Sequence, residues 1–454
     1  MARGQLKYLS MPAERLYYAD SALTDFTATV TDIRERSRTG GASLWQIALD
    51  RSAFYPTSGG QPHDTGTLAA TSPSGARLEA PIVDVEEDEQ GEVWHLTPKP
   101  LLAGTQIEGR IDWTRRLDHM QQHSGQHLLS ALFYQELGAL TVSFHLGDTV
   151  STIDLNTESL QPAQLAHIEQ LANTIVAEAR PVAHRSVTGE EAKRLLAEGK
   201  LRKLPERAGD IRLVVIAGKT AAGAIAGSPA ATAVLDLDLN ACGGTHVTST
   251  GQIGAVLIRG TERIRQSTRV SFLCGSRAIA AARADDALLT QLGRELSVGR
   301  ADLPAALARM KSEMRAAGKE RQTLREDLAN YHASRLLVED PPHDDLRIVR
   351  RIFPDRDADY IKLLASRLIA AAPHTVALLA STLQTASPAA VVVGCSQELG
   401  RNAGELLRAA LTPAGGRGGG SPTLAQGLVP PENLAAALDA LETLLRAKAV
   451  PAIE

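Results

Sequence analysis

The sequence predicts a multidomain α+β protein, and three observations carry that expectation. The chain has 454 residues, too many for one ordinary domain, so three or four units are expected. Helical and strand patterns occur as separate runs rather than as a strict strand–helix repeat, which points to α+β organisation. Two strings, His123-Ser-Gly-Gln-His127 and Cys242-Gly-Gly-Thr-His246, offer three imidazoles and a thiolate, a set that suits zinc. A shared ion would close the long loop between them into one pocket.

Residues 1–112 read as mostly β. Short β-prone runs lie at 27–33, 43–49, 81–85 and 92–96, punctuated by Gly40, Gly41, Gly59, Gly60 and Gly66. That spacing suggests a small barrel or sandwich. Residues 113–277 form the second unit. A helix starts near Thr114 as N-cap, stops at Gly138, and carries the first histidine pair. Strands follow at 141–146 and 151–155, then helices at about 161–179 and 189–198. Strands at 211–216 and 232–237 lead into the Cys242 loop, and two more lie at 253–258 and 269–273.

Residues 278–338 change character, with Ala, Leu, Arg and Glu dominant. Leu303, Leu307, Met310, Met314, Ala317, Arg321, Leu324, Leu328 and Tyr331 recur in steps of four and three, a heptad seam with a polar break at Arg321. Asp302 and Pro304 are start signals. The seam reads either as a helical hairpin within the chain or as a coiled coil that pairs two copies. Residues 339–454 form the last unit. Near-continuous apolar strands at 376–380 and 390–394 predict a sheet covered on both faces. Helices are expected at 401–411 and 431–447, and the glycine-rich run 415–427 between them has, taken alone, the composition of a linker.

Composition narrows the class. The formal net charge is −4, with no global signal for nucleic acid. Local charge says more: five arginines (259, 263, 265, 269, 277) stand against Glu262, and six basic residues between 192 and 207 against two glutamates. Such patches can meet phosphates or be plain solvated faces. No apolar run reaches membrane-spanning length, and the N-terminus lacks an apolar signal core, so a cytoplasmic protein without membrane contact is expected. Three cysteines, an odd count, argue against a disulfide framework. Cys274 and Cys395 fall in or beside apolar strands and read as buried thiols.

Four residues along a helix rise about 6 Å, so His123 and His127 project from one face. Gly243 and Gly244 favour a tight loop that folds Cys242 and His246 round the same ion. His119, four residues before His123, is a competing ligand by spacing. Four protein ligands close a tetrahedral shell, the usual mark of a structural site. An opened shell would instead activate water for ester or amide hydrolysis. No His-Glu-x-x-His string offers a metalloprotease base, and no Gly-x4-Gly-Lys-Ser/Thr loop is present.

The two strings together resemble the editing domain of alanyl-tRNA synthetase and of freestanding alanyl-tRNA editing proteins of the long AlaX type. The stretch 54–66, Phe-Tyr-Pro-Thr-Ser-Gly-Gly-Gln-Pro-His-Asp-Thr-Gly, is similar to the glycine motif of the small barrel that precedes that domain. Residues 143–147 and 151–155 look like its pocket strands, and the glycine-rich segment, with Ala403-Gly-Glu-Leu before it, looks like the DHH-associated C-terminal domain. The resemblance implies four parts: a β-barrel (1–112), a zinc-binding editing domain (113–277), a helical hairpin or coiled-coil linker (278–338) and a DHH-associated tRNA-binding domain (339–454).

It also implies an activity: hydrolysis of tRNA(Ala) mischarged with serine, and also with glycine, at Zn2+ held by His123, His127, Cys242 and His246. The chain begins at the barrel, which on this resemblance leaves out the aminoacylation domain and implies editing in trans. Ser143, His145, Thr152 and Asp154 are the candidate pocket residues, with Gly59 and Gly60 letting the barrel backbone approach. Arg263, Arg265, Arg269, Arg417, Gly418, Gly419 and Gly420 are the candidate tRNA contacts, and a homodimer through the linker or C-terminal domain is the expected assembly. Two alternatives stand beside this: a zinc-dependent deacylase for another mischarged tRNA, such as Ser-tRNA(Thr), and a non-catalytic tRNA-binding protein with structural zinc.

Overall fold

A computed structural model describes residues 13–39, 42–72, 75–202, 204, 209–218, 236–383 and 388–446. The chain divides into two compact units, Met1–Gln291 and Leu292–Glu454. It is mixed α+β, with several sheets and separate helices. Among the described residues no helix is long and apolar enough to cross a membrane.

The first unit opens with a seven-stranded antiparallel sheet spanning Asp25–Thr39 to Gln106–Ile111. Its outermost strands, Arg77–Ile82 and Asp84–Glu87, are separated in the chain by Val83 alone. Alternate residues such as Phe26, Ala28, Val30, Ile47 and Leu49 fill its core, the period-2 pattern of half-buried strands. Gln106–Ile111 alternates exposed and buried at every step.

The helix Trp113–Leu137 follows. Its N-cap is Asp112, whose carboxylate accepts from Arg115 N, rather than the expected Thr114. Thr114 lies one residue inside the helix, where its hydroxyl cannot reach the orphan amides. Gly138 ends the helix at φ 66°, a left-handed cap that glycine adopts without strain. Arg116 of this helix is fully buried and pairs with the fully buried Asp64 of the glycine motif. The same guanidinium donates to Ser21 O (2.8 Å) and Ala53 O (2.5 Å). That clamp fixes the 55–64 loop against the helix.

The helix packs on a four-stranded sheet of Thr141–Leu146, Ser151–Leu155, Ser267–Cys274 and Val256–Ile264. Approach is close at Gly125, where a Cβ would stand 2.2 Å from Cys274 Sγ. The expected strand at 253–258 begins instead at Val256, because Thr250–Ile253 is a 3-10 turn capped by Ser249. A three-stranded sheet, Val182–Val187, Ile211–Ile216 and Asp238–Ala241, carries the Cys242 loop. The expected strand at 232–237 falls mostly on residues outside those described.

In the second unit, Leu303–Glu339 is a single 37-residue helix. Ala329, Ala333 and Leu336 bury against the helix Ala358–Ala371, while Met314, Leu324 and Tyr331 of the heptad seam are 68%, 60% and 64% exposed. A five-stranded sheet follows, with Thr375–Ser381 wholly buried. Val376, Leu378 and Ala380 face the helices Ala403–Leu411 and Leu434–Arg446; Ala377 and Leu379 face the helix Ala358–Ala371. Both faces are covered, as the apolar runs predicted. The glycine-rich run is no linker: Arg417–Gly420 and Leu424–Val429 form a hairpin at one edge of this sheet.

Candidate metal centre

Nε2, Nδ1 or Sγ atoms of His123, His127, Cys242 and His246 lie within 4.8 Å of one another. The helix supplies the first two from one face, and the glycine loop folds the other two against them. Gly244 permits this, since a Cβ there would stand 2.2 Å from the His123 ring. The rings of His123 and His246 are centred 4.3 Å apart, and those of His127 and His246 4.7 Å.

Each imidazole is held at Nδ1 from outside the cluster. Gln61 Nε2 donates to Thr245 Oγ1 (2.8 Å), which fixes the amide's orientation. Its Oε1 then accepts from Thr245 N (3.1 Å) and from His123 Nδ1 (2.8 Å). His127 Nδ1 donates to Asp238 Oδ2 (3.0 Å), a carboxylate that also takes Asn240 and Arg202. His246 Nδ1 meets Ser124 Oγ at 3.1 Å. With Nδ1 engaged, the Nε2 lone pairs are left for the centre, the arrangement metal-binding histidines adopt.

Burial raises the Cys242 thiol, but His123 and His246 outweigh it and bring the thiol well below its ordinary range. Gly244 N also donates to Cys242 Sγ (3.4 Å). Burial lowers His127, yet Asp238 and Cys242 raise it to about 9. Three imidazoles and a thiolate with capped far sides fit a borderline-soft cation such as zinc, and binding it would release protons. His119 does not join the group. It is buried, and burial with Arg115 and Arg277 nearby lowers it to about 3.

The cluster opens on a cleft of about 1110 Å³ lined by residues of the seven-, four- and three-stranded sheets of the first unit. Gly59 and Gly60 line it at φ 55° and 83°. A Cβ on Gly60 would press to 2.8 Å from the Phe144 ring, which lies beside His123. Ser143 lines the cleft; His145, Thr152 and Asp154 do not. Asp154 is occupied instead by Arg269 (2.7 Å) and Ser143 (2.6 Å), its partners across neighbouring strands. Arg269 is thereby ion-paired rather than free for phosphate, whereas Arg263 and Arg265 stand exposed at the hairpin end.

In the second unit Arg417 is exposed. Gly418 and Gly420 have packing reasons to lack side chains, since a Cβ would meet Gln426 O at 2.8 Å and Ala425 Cα at 2.4 Å. Gly419 alone of the three faces open space. Gln61, Ser124 and Asp238 escaped sequence reasoning. Gln61 directly follows the paired glycines and Asp238 lies four residues before Cys242, but nothing in a single sequence assigns either to an imidazole.

Residues 211–269 match the threonyl and alanyl tRNA synthetase second additional domain, and residues 347–447 match the DHHA1 domain. The chain therefore belongs to the class of proteins that join a threonyl and alanyl tRNA synthetase second additional domain to a DHHA1 domain. The alanine–tRNA ligase of Natronomonas pharaonis is 32% identical over 95% of this chain and 44% of its own length. The mouse alanyl-tRNA editing protein Aarsd1 is 29% identical over 77% of this chain and 79% of its own. The Bos taurus Aarsd1 is 30% identical over 70% and 67%. The chain is a member of the alanyl-tRNA editing protein family, and it spans under half the length of the ligases it matches. The C-Ala domain of Aquifex aeolicus alanyl-tRNA synthetase is 26% identical over 23% of this chain and 96% of that domain, with a TM-score of 0.22.

Proposed function

We propose that the protein deacylates tRNA(Ala) mischarged with serine, and with glycine, in trans, at Zn2+ held by His123, His127, Cys242 and His246. The observation that carries this reading is the convergence of three Nδ1-capped imidazoles and one low-pKa thiol on the wall of a large cleft. Zinc bound there would polarise an ester carbonyl and lower the pKa of water to about 7. The protein's own groups do the positioning. Gln61, Asp238 and Ser124 fix the ring orientations. Ser143 donates its proton to Asp154, so its oxygen keeps lone pairs for a substrate hydroxyl. A site that hydrogen-bonds that hydroxyl disfavours the alanyl ester, which leaves its polar groups unpaired.

The four-part division and tRNA contacts at Arg263, Arg265, Arg417 and Gly419 belong to the same proposal. So does a cytoplasmic homodimer, supported by the exposed seam of Leu303–Glu339. Two other readings have support. Four protein donors satisfy a tetrahedral shell, which favours a structural ion in a tRNA-binding protein. The matched editing domain is shared with threonyl-tRNA synthetases, which admits Ser-tRNA(Thr). Incubation with Ser-, Gly- and Ala-tRNA(Ala) and with Ser-tRNA(Thr), with and without chelator, separates them. Release of serine and glycine from tRNA(Ala) only, lost on chelation and in His127→Ala or Cys242→Ala, is the expected result. No release from any substrate leaves the structural reading.

A further inference from the structure

The cleft is far larger than the reacting group requires. A volume of about 1110 Å³ is at the upper end of pockets for drug-sized ligands, whereas a seryl or glycyl group has a handful of heavy atoms. Beyond the Cys242 loop its wall carries Tyr18 and Arg212. Tyr18 is half-buried, and its hydroxyl lies 3.4 Å from where a Cβ on Gly243 would stand. A side chain at that position would narrow the passage between Tyr18 and the thiol.

The Arg212 guanidinium lies 5.7 Å from the centre of the Tyr18 ring, within cation–aromatic range. Its Nη1 donates to Cys242 O (2.9 Å) and Gly244 O (3.0 Å), and its Nε to Tyr18 O (3.4 Å). Those bonds leave Nη2 unused by the described residues, and no carboxylate among them pairs with this guanidinium. The other arginines of the cleft differ: Arg15 is paired with Glu87, and Arg202 with Asp238. Among the described residues the cleft thus holds one guanidinium that no carboxylate pairs with, within 5.7 Å of the Tyr18 ring centre and beside Cys242; Arg15 approaches the same ring at 5.6 Å.

We propose that Tyr18 and Arg212 bind the 3′-terminal nucleotide of the acceptor strand, with the base along the tyrosine–guanidinium ledge and the phosphate at the free side of Arg212. This rests on the editing reading, because the amino acid of a charged tRNA is esterified to the ribose of that nucleotide. The ester reaches the metal ligands only if this nucleotide lies within a ribose's length of them. A single-stranded end exposes its base for stacking on aromatic rings and guanidinium planes. An unneutralised guanidinium is the natural partner of a phosphodiester.

The test is binding of a 5′-labelled CCA trinucleotide, unacylated, measured by fluorescence anisotropy at several salt concentrations. Metal content is determined for each protein. Tyr18→Ala weakens binding about tenfold or more, while Tyr18→Phe, which keeps the ring, stays near wild type. Arg212→Gln weakens binding and lowers the salt dependence by about one phosphate contact. Tyr18→Leu replaces the alanine variant if that one fails to retain metal. Wild-type affinity and salt dependence in the Tyr18→Ala or Tyr18→Leu protein and in Arg212→Gln would overturn the inference. No ester is hydrolysed in this measurement, so its outcome is separate from whether the protein deacylates seryl-tRNA.

Discussion

At the scale of single residues, the candidate metal centre rests on groups outside its four donors. Gln61 is fully buried and divides its amide between Thr245 and His123. Gln61→Ala is expected to weaken zinc affinity by about 10- to 100-fold, read by competition with a chromophoric chelator; unchanged affinity would count against the tautomer role. Asp238→Asn should act the same way through His127. The four candidate ligands were legible in the sequence because a helical four-residue spacing and a glycine loop are local facts. Their supports were not, since Gln61 and His123 stand 62 positions apart and only folding joins them. Asp154 shows the converse. Its position on the strand Ser151–Leu155 was legible, but its pairing with Arg269, away from the cleft, belongs to strand register.

Elements make two further predictions. The Asp64–Arg116 clamp ties the glycine motif to the histidine helix inside a fully buried environment. Breaking such a pair leaves one charge unmatched, so Asp64→Ala is expected to destabilise the first unit by about 3–5 kcal/mol, measured by urea unfolding. His95 sits fully buried in the N-terminal sheet, its Nδ1 donating to Ile47 O (3.0 Å) and its Nε2 accepting from Ser52 Oγ (2.7 Å). Burial lowers its pKa to about 4, against about 6.5 in the unfolded chain. Between those values the unfolded state binds more protons than the folded one. The contribution is therefore complete above about pH 6.5 and is lost as pH falls towards 4, by about 3 kcal/mol at most. His95→Gln should flatten that part of the stability–pH curve; an unchanged slope would assign it elsewhere.

At the scale of the whole molecule, the two units carry separate cores, and all four candidate metal ligands lie in the first. The ion would bind only the folded first unit and so add to its stability by mass action. Calorimetry with and without chelator should show the melting of the first unit lowered and that of the second unmoved; a joint shift would mean the two unfold together. If the exposed seam pairs two copies, Leu324→Glu should shift sedimentation equilibrium towards the monomer.

The sequence by itself determined the α+β class, the strands 141–146 and 151–155, the doubly covered C-terminal sheet and the two strings whose four donors come together. Each follows from periodicity or spacing within one short stretch. Only the tertiary structure decided that the glycine-rich run is a sheet-edge hairpin, that His119 stands outside the cluster, and that Asp112 rather than Thr114 caps the helix. It alone set Gln61 and Asp238 behind His123 and His127, and Tyr18 and Arg212 on the wall of the cleft. Those outcomes depend on which distant groups meet, and a burial or a hydrogen bond between remote positions leaves no periodic trace in a single chain.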